Sequence, residues 1–133
     1  MQTESLPKLV VIDDEPDMAR LIADVADMSG YEVAHYFAGS EFVSQFVEDI
    51  DVLFLDLIMP DMSGLEIIDF LADKKSRCQL ILMTGFEDSV LHTARQAAIA
   101  HGLNFISGFK KPFRFDDLHN LLIKLQAVRS SAR

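Results

Sequence analysis

Short runs of apolar residues recur along the chain, and most of them have the length of a strand. Three runs are continuously apolar rather than alternating: LVVI at 9 to 12, VLFL at 52 to 55 and LILM at 80 to 83. Such runs are typical of parallel strands that are covered on both faces. The more mixed runs EVAHYF at 32 to 37 and NFISGF at 104 to 109 are typical of partly exposed strands. The pattern therefore predicts three central strands and two edge strands.

Helical periodicity occupies the segments between these strands. The clearest helix ends at Gly30, and its apolar positions follow the i, i+3, i+4, i+7 spacing of one buried stripe, which consists of Met18, Leu21, Ile22, Val25 and Met28. Similar periods occur at residues 40–49, 65–71 and 118–128. These segments predict amphipathic helices that pack on the sheet.

The helix expected after Ser89 differs from the others because its inward positions are mostly small. These positions are Val90, Leu91, Ala94, Ala97 and Ala98. A helix of this kind buries little apolar area, so it is a candidate moving part. With this helix included, five strands alternate with five helices. This order predicts one α/β domain with a parallel sheet and helices on both faces.

Composition and length are consistent with one domain. The chain has 133 residues, of which 50% are hydrophobic, and this is enough for one core without disulfides. We place the domain at residues 6–128 and expect residues 129–133 to form a C-terminal tail or the start of a linker, because the apolar period is lost there. The single cysteine, Cys78, excludes an intrachain disulfide, and the N-terminal MQTESLPK lacks a secretory pattern. We therefore expect a cytoplasmic protein.

Charge narrows the classes of partner. Twelve basic and 21 acidic residues give a net charge of −9. This charge repels phosphate backbones and anionic lipid, so we expect no direct nucleic-acid binding and no membrane association. No apolar run approaches the roughly 20 residues that a membrane-spanning helix needs. A divalent cation, in contrast, would be attracted.

Polar side chains that could bind a ligand or react follow the predicted strands. Asp13 and Asp14 follow the first strand, Asp56 follows the third, Thr84 follows the fourth, and Lys111 follows the fifth, directly before a proline. The carboxyl ends of strands in an open doubly wound sheet line one crevice. If the first and third strands are neighbours, their three carboxylates converge there.

Three carboxylates in one crevice raise one another's pKa unless a cation lies among them. Mg²⁺ prefers oxygen ligands and commonly uses one or two carboxylates, which leaves positions for water and a phosphate oxygen. The Lys111 ammonium and the Thr84 hydroxyl are suited to the remaining phosphoryl oxygens. The set predicts phosphoryl transfer, with Asp56 as the nucleophile.

The motifs VVIDDEPDM, FLDLIMPDMSG, ILMTG and FKKPF, in this order and spacing, resemble the receiver domain of bacterial two-component response regulators. The resemblance covers residues 8–126. It implies a flavodoxin-like doubly wound (βα)5 fold, with a five-stranded parallel sheet of order 2-1-3-4-5 and helices on both faces. It also implies that the domain is not an enzyme beyond catalysing its own phosphorylation and dephosphorylation.

The resemblance implies a role for each strand-end residue. Asp56 resembles the phosphoacceptor, Thr84 the switch hydroxyl, and Lys111 the lysine that precedes a cis proline. Ile58 and Phe86, each two residues beyond one of these positions, are expected to flank the phosphoryl group. The implied ligands of Mg²⁺ are Asp13, Asp14, Asp56 and the backbone carbonyl of Ile58.

The implied partners are a histidine kinase or histidine phosphotransfer protein as donor, and an output domain or partner protein, with a homodimer as a further candidate. Phosphorylation of Asp56 would change the surface that the helices expose.

One alternative is a degenerate receiver that acts as a phosphorylation-independent scaffold. Another is a small Mg²⁺-dependent phosphohydrolase of the haloacid-dehalogenase kind, which needs an aspartate where Ile58 stands. A flavodoxin-like cofactor binder is disfavoured because DDEPD would repel a phosphate.

The chain departs from the receiver pattern near the fifth strand. Most receivers carry an aromatic residue three positions before the lysine as the second half of the switch, whereas this chain has Gly108. Phe105 and Phe109 are candidates to replace it, and the third alternative is that no residue does. The segment from Gly102 to Lys111 is about two residues longer than usual, and HGLNFISGFKKPF is similar to receivers fused to cyclic-di-GMP phosphodiesterase domains.

Overall fold

The computed structural model describes residues 6–85 and 88–131, with side chains to residue 126 in the last helix. Within these ranges five parallel strands form one sheet of order β2-β1-β3-β4-β5. The strands are β1 (Lys8–Ile12), β2 (Glu32–Tyr36), β3 (Val52–Asp56), β4 (Gln79–Thr84) and β5 (Asn104–Lys110). The helices are α1 (Pro16–Met28), α2 (Gly39–Ser44), α3 (Gly64–Asp73), α4 (Asp88–Ala100) and α5 (Phe115–Ser131). The predicted fold class and strand order are confirmed.

The sheet divides the core into two layers because successive side chains of a strand point to opposite faces. Val10 and Ile12 of β1 face one layer, which is closed by α2, α3 and α4. Leu9 and Val11 face the other layer, which is closed by α1 and α5. The inner strands are buried on both faces, which explains why their sequences are continuously apolar.

The predicted burial of one residue in the α1 stripe is wrong. Met28 is 69% exposed, whereas Ile22 and Val25 are buried. The next position on the buried face of a helix with 3.6 residues per turn is Ser29, four residues after Val25. Ser29 is buried, and its hydroxyl donates to the backbone carbonyl of Val25 at 2.8 Å. A satisfied serine therefore ends the stripe where the sequence suggested a methionine.

The last helix continues beyond the predicted domain end. Its backbone is helical through Ser131, although the apolar period is lost before that point, and residues 132 and 133 lie outside the described ranges. The boundary at residue 128 stays a prediction. Among the helices in the described part of the chain, none is long and apolar enough to cross a bilayer.

Candidate functional site

Four of the predicted site residues end neighbouring strands at one edge of the sheet. Asp13 follows β1, Asp56 and Thr84 are the last residues of β3 and β4, and Lys111 follows β5. The Lys111 Nζ atom lies 3.1 Å from Asp13 Oδ2 and 3.3 Å from Asp56 Oδ2. One ammonium thus joins two carboxylates that are 43 residues apart in the sequence. The sheet topology brings Asp13, Asp56 and Lys111 into contact.

Lys111 is held over the crevice by its backbone. Its N–H donates to the Thr84 carbonyl at 2.7 Å, and the peptide bond to Pro112 is cis, as the resemblance implies. The side chain is only 6% exposed. Burial alone would lower the pKa of the ammonium, but the hydrogen bond to Glu15 and the charges of Asp56 and Asp13 outweigh it and raise that pKa. Lys111 is therefore a permanent positive charge.

Asp56 lies in an environment that opposes its ionisation. Burial, followed by repulsion from Asp13, raises the pKa of its carboxyl from 3.8 to about 7. The charge of Lys111 and a 3.3 Å hydrogen bond from the Ile58 N–H act in the opposite direction without cancelling the rise. The charge of Lys111 alone therefore does not compensate for burial and for repulsion from Asp13.

Glu15 is the member of this cluster that the sequence analysis missed. Its carboxylate contacts the Lys111 ammonium, and its backbone N–H donates to Asp13 Oδ1 at 2.9 Å. One carboxylate oxygen from each of Asp13, Glu15 and Asp56 lies within 4.8 Å of the others, so these three residues could hold a metal ion. The signal in the sequence is the turn itself, because an Asp that accepts from the N–H two residues on directs that residue back toward it.

Asp14 and Ile58 lie at the open side of the same site. Both line a cleft of about 500 Å³, together with Glu15, Met59, Pro60 and Gly85. Asp14 is exposed and is not in the tight group of three carboxylates, and Ile58 is 43% exposed. Phe86, the other residue expected to flank the phosphoryl group, lies outside the described ranges. The lining of the cleft thus combines two carboxylates with the apolar side chains of Ile58, Met59 and Pro60.

The loop after Asp56 is fixed at both of its ends. The Leu57 N–H donates to the Met83 carbonyl at 2.9 Å, and the Gly64 N–H donates to the Leu57 carbonyl at 3.0 Å. At the start of α3, Ser63 and Glu66 form a capping box that satisfies two backbone N–H groups. The position of the Asp56 carboxylate is therefore determined by the strand before it and by the helix that follows.

The departure at Gly108 has a structural counterpart in α4. A Cβ atom at Gly108 would lie 2.8 to 3.1 Å from the side chain of Leu91, so Leu91 packs directly on the glycine. Phe105 packs on the same face of the sheet, with the Arg95 guanidinium 5.7 Å from its ring centre. Phe109 lies on the opposite face and contacts Phe113. Phe105 is thus the candidate aromatic beside α4.

A bulge in β5 accounts for one of the roughly two extra residues before Lys111. Leu80 pairs with Phe105, but Ile81 pairs with Ser107, so Ile106 is an additional residue in β5. Beyond the bulge the pairing is regular, and Thr84 lies opposite Lys110. The strand therefore reaches the site in register despite its longer sequence.

We predict that Gly108→Ala destabilises the protein by about 1–2 kcal/mol, because the added methyl group overlaps Leu91 in a packed layer. In a Leu91→Ala background the same change is expected to cost close to nothing, since the overlapping atoms are gone. Urea unfolding of the four proteins in this double-mutant cycle measures the coupling. Equal costs of Gly108→Ala in both backgrounds would show that Leu91 does not respond to residue 108.

Known proteins resemble this chain throughout its described fold. The family profile of the response regulator receiver domain matches residues 9–123. Response regulator SaeR of Staphylococcus epidermidis is 30% identical over 127 residues, which cover 92% of this chain and 53% of SaeR. A response regulator from Colwellia psychrerythraea has a TM-score of 0.82 at 33% identity, covering 93% of this chain and 99% of that structure. Response regulator TrrA from Thermotoga maritima, crystallised in complex with Mg²⁺-BeF, has a TM-score of 0.73 at 29% identity, covering 90% and 99%.

The chain spans about half the length of SaeR, so the likeness concerns one domain of that relative. The profile match extends from β1 into α5 and includes all five strands of the described sheet. The confirmed strand order and the acidic crevice with its lysine are in agreement with this match. The chain belongs to the response regulator receiver domain family of two-component signalling.

Proposed function

We propose that Asp56 accepts a phosphoryl group from a phosphohistidine donor and that the chain changes the surface it presents as a result. The observation that carries the proposal is the Lys111 ammonium, which lies between the Asp56 and Asp13 carboxylates at the carboxyl edge of the sheet. An Asp56 carboxylate oxygen attacks phosphorus, the phosphorus–nitrogen bond of phosphohistidine breaks, and the imidazole leaves with its electron pair. Lys111 and the hydroxyl of Thr84 bind oxygens of the transferred group.

Mg²⁺ is the cofactor that the donor set fits. The carboxylates are hard oxygen ligands, and the raised pKa of Asp56 is the response expected of a carboxyl group that lacks enough neighbouring positive charge. The residues that would hold it are Asp13, Asp14, Asp56 and the backbone carbonyl of Ile58, with Glu15 nearby. When bound, Mg²⁺ neutralises negative charge on the phosphoryl oxygens. The Mg²⁺-BeF complex of TrrA supports this assignment by similarity.

The proposed partners follow from the receiver family. The donor is a histidine kinase or a histidine phosphotransfer protein, and the output is an attached domain, a separate protein or a second copy of the chain. The sequence HGLNFISGFKKPF favours a cyclic-di-GMP phosphodiesterase as that output. The net charge of −9 supports a domain that binds neither nucleic acid nor membrane directly, and the receiver family supports a cytoplasmic location.

A phosphohydrolase of the haloacid-dehalogenase kind is not favoured. That chemistry needs a second carboxylate two residues after the nucleophile, and Ile58 occupies this position after Asp56. A scaffold without phosphorylation is also less well supported, because such a role would not need a buried lysine directed at Asp13 and Asp56. The contacts of Lys111 therefore favour a working acceptor.

The test uses Mg²⁺ and acetyl phosphate as a small phosphodonor, followed by intact mass measurement. We expect a phosphoryl adduct on the wild type, none on Asp56→Asn, and a wild-type yield on Asp73→Asn, which removes an exposed carboxylate of α3 instead. Light scattering of beryllofluoride-treated protein reports whether the activated chain dimerises. The absence of any Asp56-dependent adduct would refute the proposed function.

A further inference from the structure

Within the described residues, the Glu15 carboxylate contacts only the Lys111 ammonium. Glu15 is the N-cap residue of α1, but its side chain makes no capping hydrogen bond, and Pro16 begins the helix without an N–H to satisfy. Its side chain is 62% exposed, whereas the Lys111 side chain that it contacts is 6% exposed. Glu15 thus reaches from solvent to the buried ammonium.

The ammonium of Lys111 has three N–H donors and is already surrounded by three carboxylates, those of Asp13, Glu15 and Asp56. A phosphoryl oxygen can bind Lys111 only if it displaces one of them. Asp13 is fully buried and cannot regain water, and Asp56 is the acceptor itself. The exposed Glu15 is the carboxylate that water can solvate most readily once it is released. Its displacement therefore costs the least.

We infer that Glu15 is a positioning residue. Its carboxylate holds the Lys111 ammonium in the unphosphorylated site and is displaced from it when a phosphoryl group binds. The inference rests on the proposed function, since it concerns the same lysine and the same acceptor. Glu15 acts on two ligands in opposite directions. Its negative charge attracts the divalent cation, and its contact with Lys111 competes with an anionic phosphoryl group for the same donors.

The test separates these two effects with the variants Glu15→Gln and Glu15→Asp. Calorimetric titration measures Mg²⁺ affinity, and ¹⁹F NMR measures beryllofluoride affinity at saturating Mg²⁺. For Glu15→Gln, which loses the charge, we expect Mg²⁺ to bind roughly threefold or more weakly and beryllofluoride roughly threefold or more tightly. Glu15→Asp keeps the charge but is one methylene shorter, so only the beryllofluoride affinity is expected to rise.

Asp17→Asn is the matched control, because Asp17 is an exposed carboxylate in the first turn of α1 with one charge to lose. We expect it to change neither affinity by as much as twofold. The inference is overturned if Glu15→Gln moves both affinities in the same direction or leaves both unchanged. It is also overturned if Glu15→Asp binds beryllofluoride like the wild type or if Asp17→Asn reproduces Glu15→Gln. Failure of the wild type to bind beryllofluoride in an Asp56-dependent manner would instead refute the proposed function.

Discussion

Replacing Asp56 by asparagine is expected to raise the melting temperature of the metal-free protein, and to raise it more at pH 8 than at pH 5. The pKa of this carboxyl is about 7 in the folded chain, against 3.8 for an aspartate side chain in water. The unfolded chain therefore loses its proton above about pH 4, while the folded chain keeps it until about pH 7. The wild type loses stability through this window as pH rises, and the neutral asparagine does not.

The difference between the two pH values is on the order of 2 kcal/mol, because each pKa unit corresponds to about 1.4 kcal/mol. For a domain of this size such a difference shifts the melting temperature by several degrees. Thermal unfolding in EDTA at pH 5 and pH 8 measures it. Saturating Mg²⁺ should then stabilise the wild type at pH 8 and leave Asp56→Asn nearly unchanged. The difference in melting temperature between the two proteins should therefore shrink or change sign.

Asp61→Asn is a suitable control for this experiment. Asp61 lies in the same loop, but its pKa is lowered, chiefly by a hydrogen bond from the backbone N–H of Ser40. A carboxyl group with a lowered pKa contributes stability above its unfolded pKa, so its replacement should give no gain at pH 8. A gain for Asp56→Asn that is equal at both pH values would contradict the proposed cause, as would a loss at pH 8.

Hydrophobic pattern was sufficient to predict an α/β domain with a parallel sheet, because the inner strands are buried on both faces and the helices on one. The strand order was predicted only through the resemblance to receiver domains. Given that strand order, the sequence places Asp13, Asp56 and Lys111 at the same edge, since the carboxyl ends of parallel strands share it. What the pattern could not predict is how the acidic turn after β1 folds. Whether Asp14 or Glu15 approaches Lys111 depends on the hydrogen bond between the Glu15 N–H and Asp13, which is a matter of local geometry.

The side-chain packing around Gly108 could not be predicted from the sequence for a similar reason. The sequence identified Gly108 as unusual, but it could not identify Leu91 as the side chain that occupies the space above it. That pairing depends on the distance between α4 and β5, which is a property of the folded chain. Motifs thus predicted which residues form the site. The neighbours that pack against them are known only from the structure.

Gly64 is expected to be the position in the acceptor loop that is least tolerant of substitution. A Cβ atom at Gly64 would lie 2.8 Å from the backbone Cα of Leu57 and 2.5 Å from its Cδ2 atom. A backbone atom cannot rotate away as a side chain can, so the loop after Asp56 would have to move. We expect Gly64→Ala to lower the free energy of unfolding by about 3 kcal/mol, at the upper end of the usual range for overpacking.

Gly85→Ala is the matched control for stability, because a Cβ atom there would meet no atom of the described residues within 4 Å. Urea unfolding should therefore separate the two alanine variants by most of the cost of Gly64→Ala. A second measurement tests whether the loop also positions Asp56. At a temperature where Gly64→Ala is folded, its beryllofluoride affinity should still be reduced, since Leu57 adjoins the acceptor Asp56 and precedes Ile58. Wild-type stability of Gly64→Ala would show that the close approach of Gly64 to Leu57 does not hold the loop. Reduced stability with an unchanged beryllofluoride affinity would show that the loop does not position Asp56.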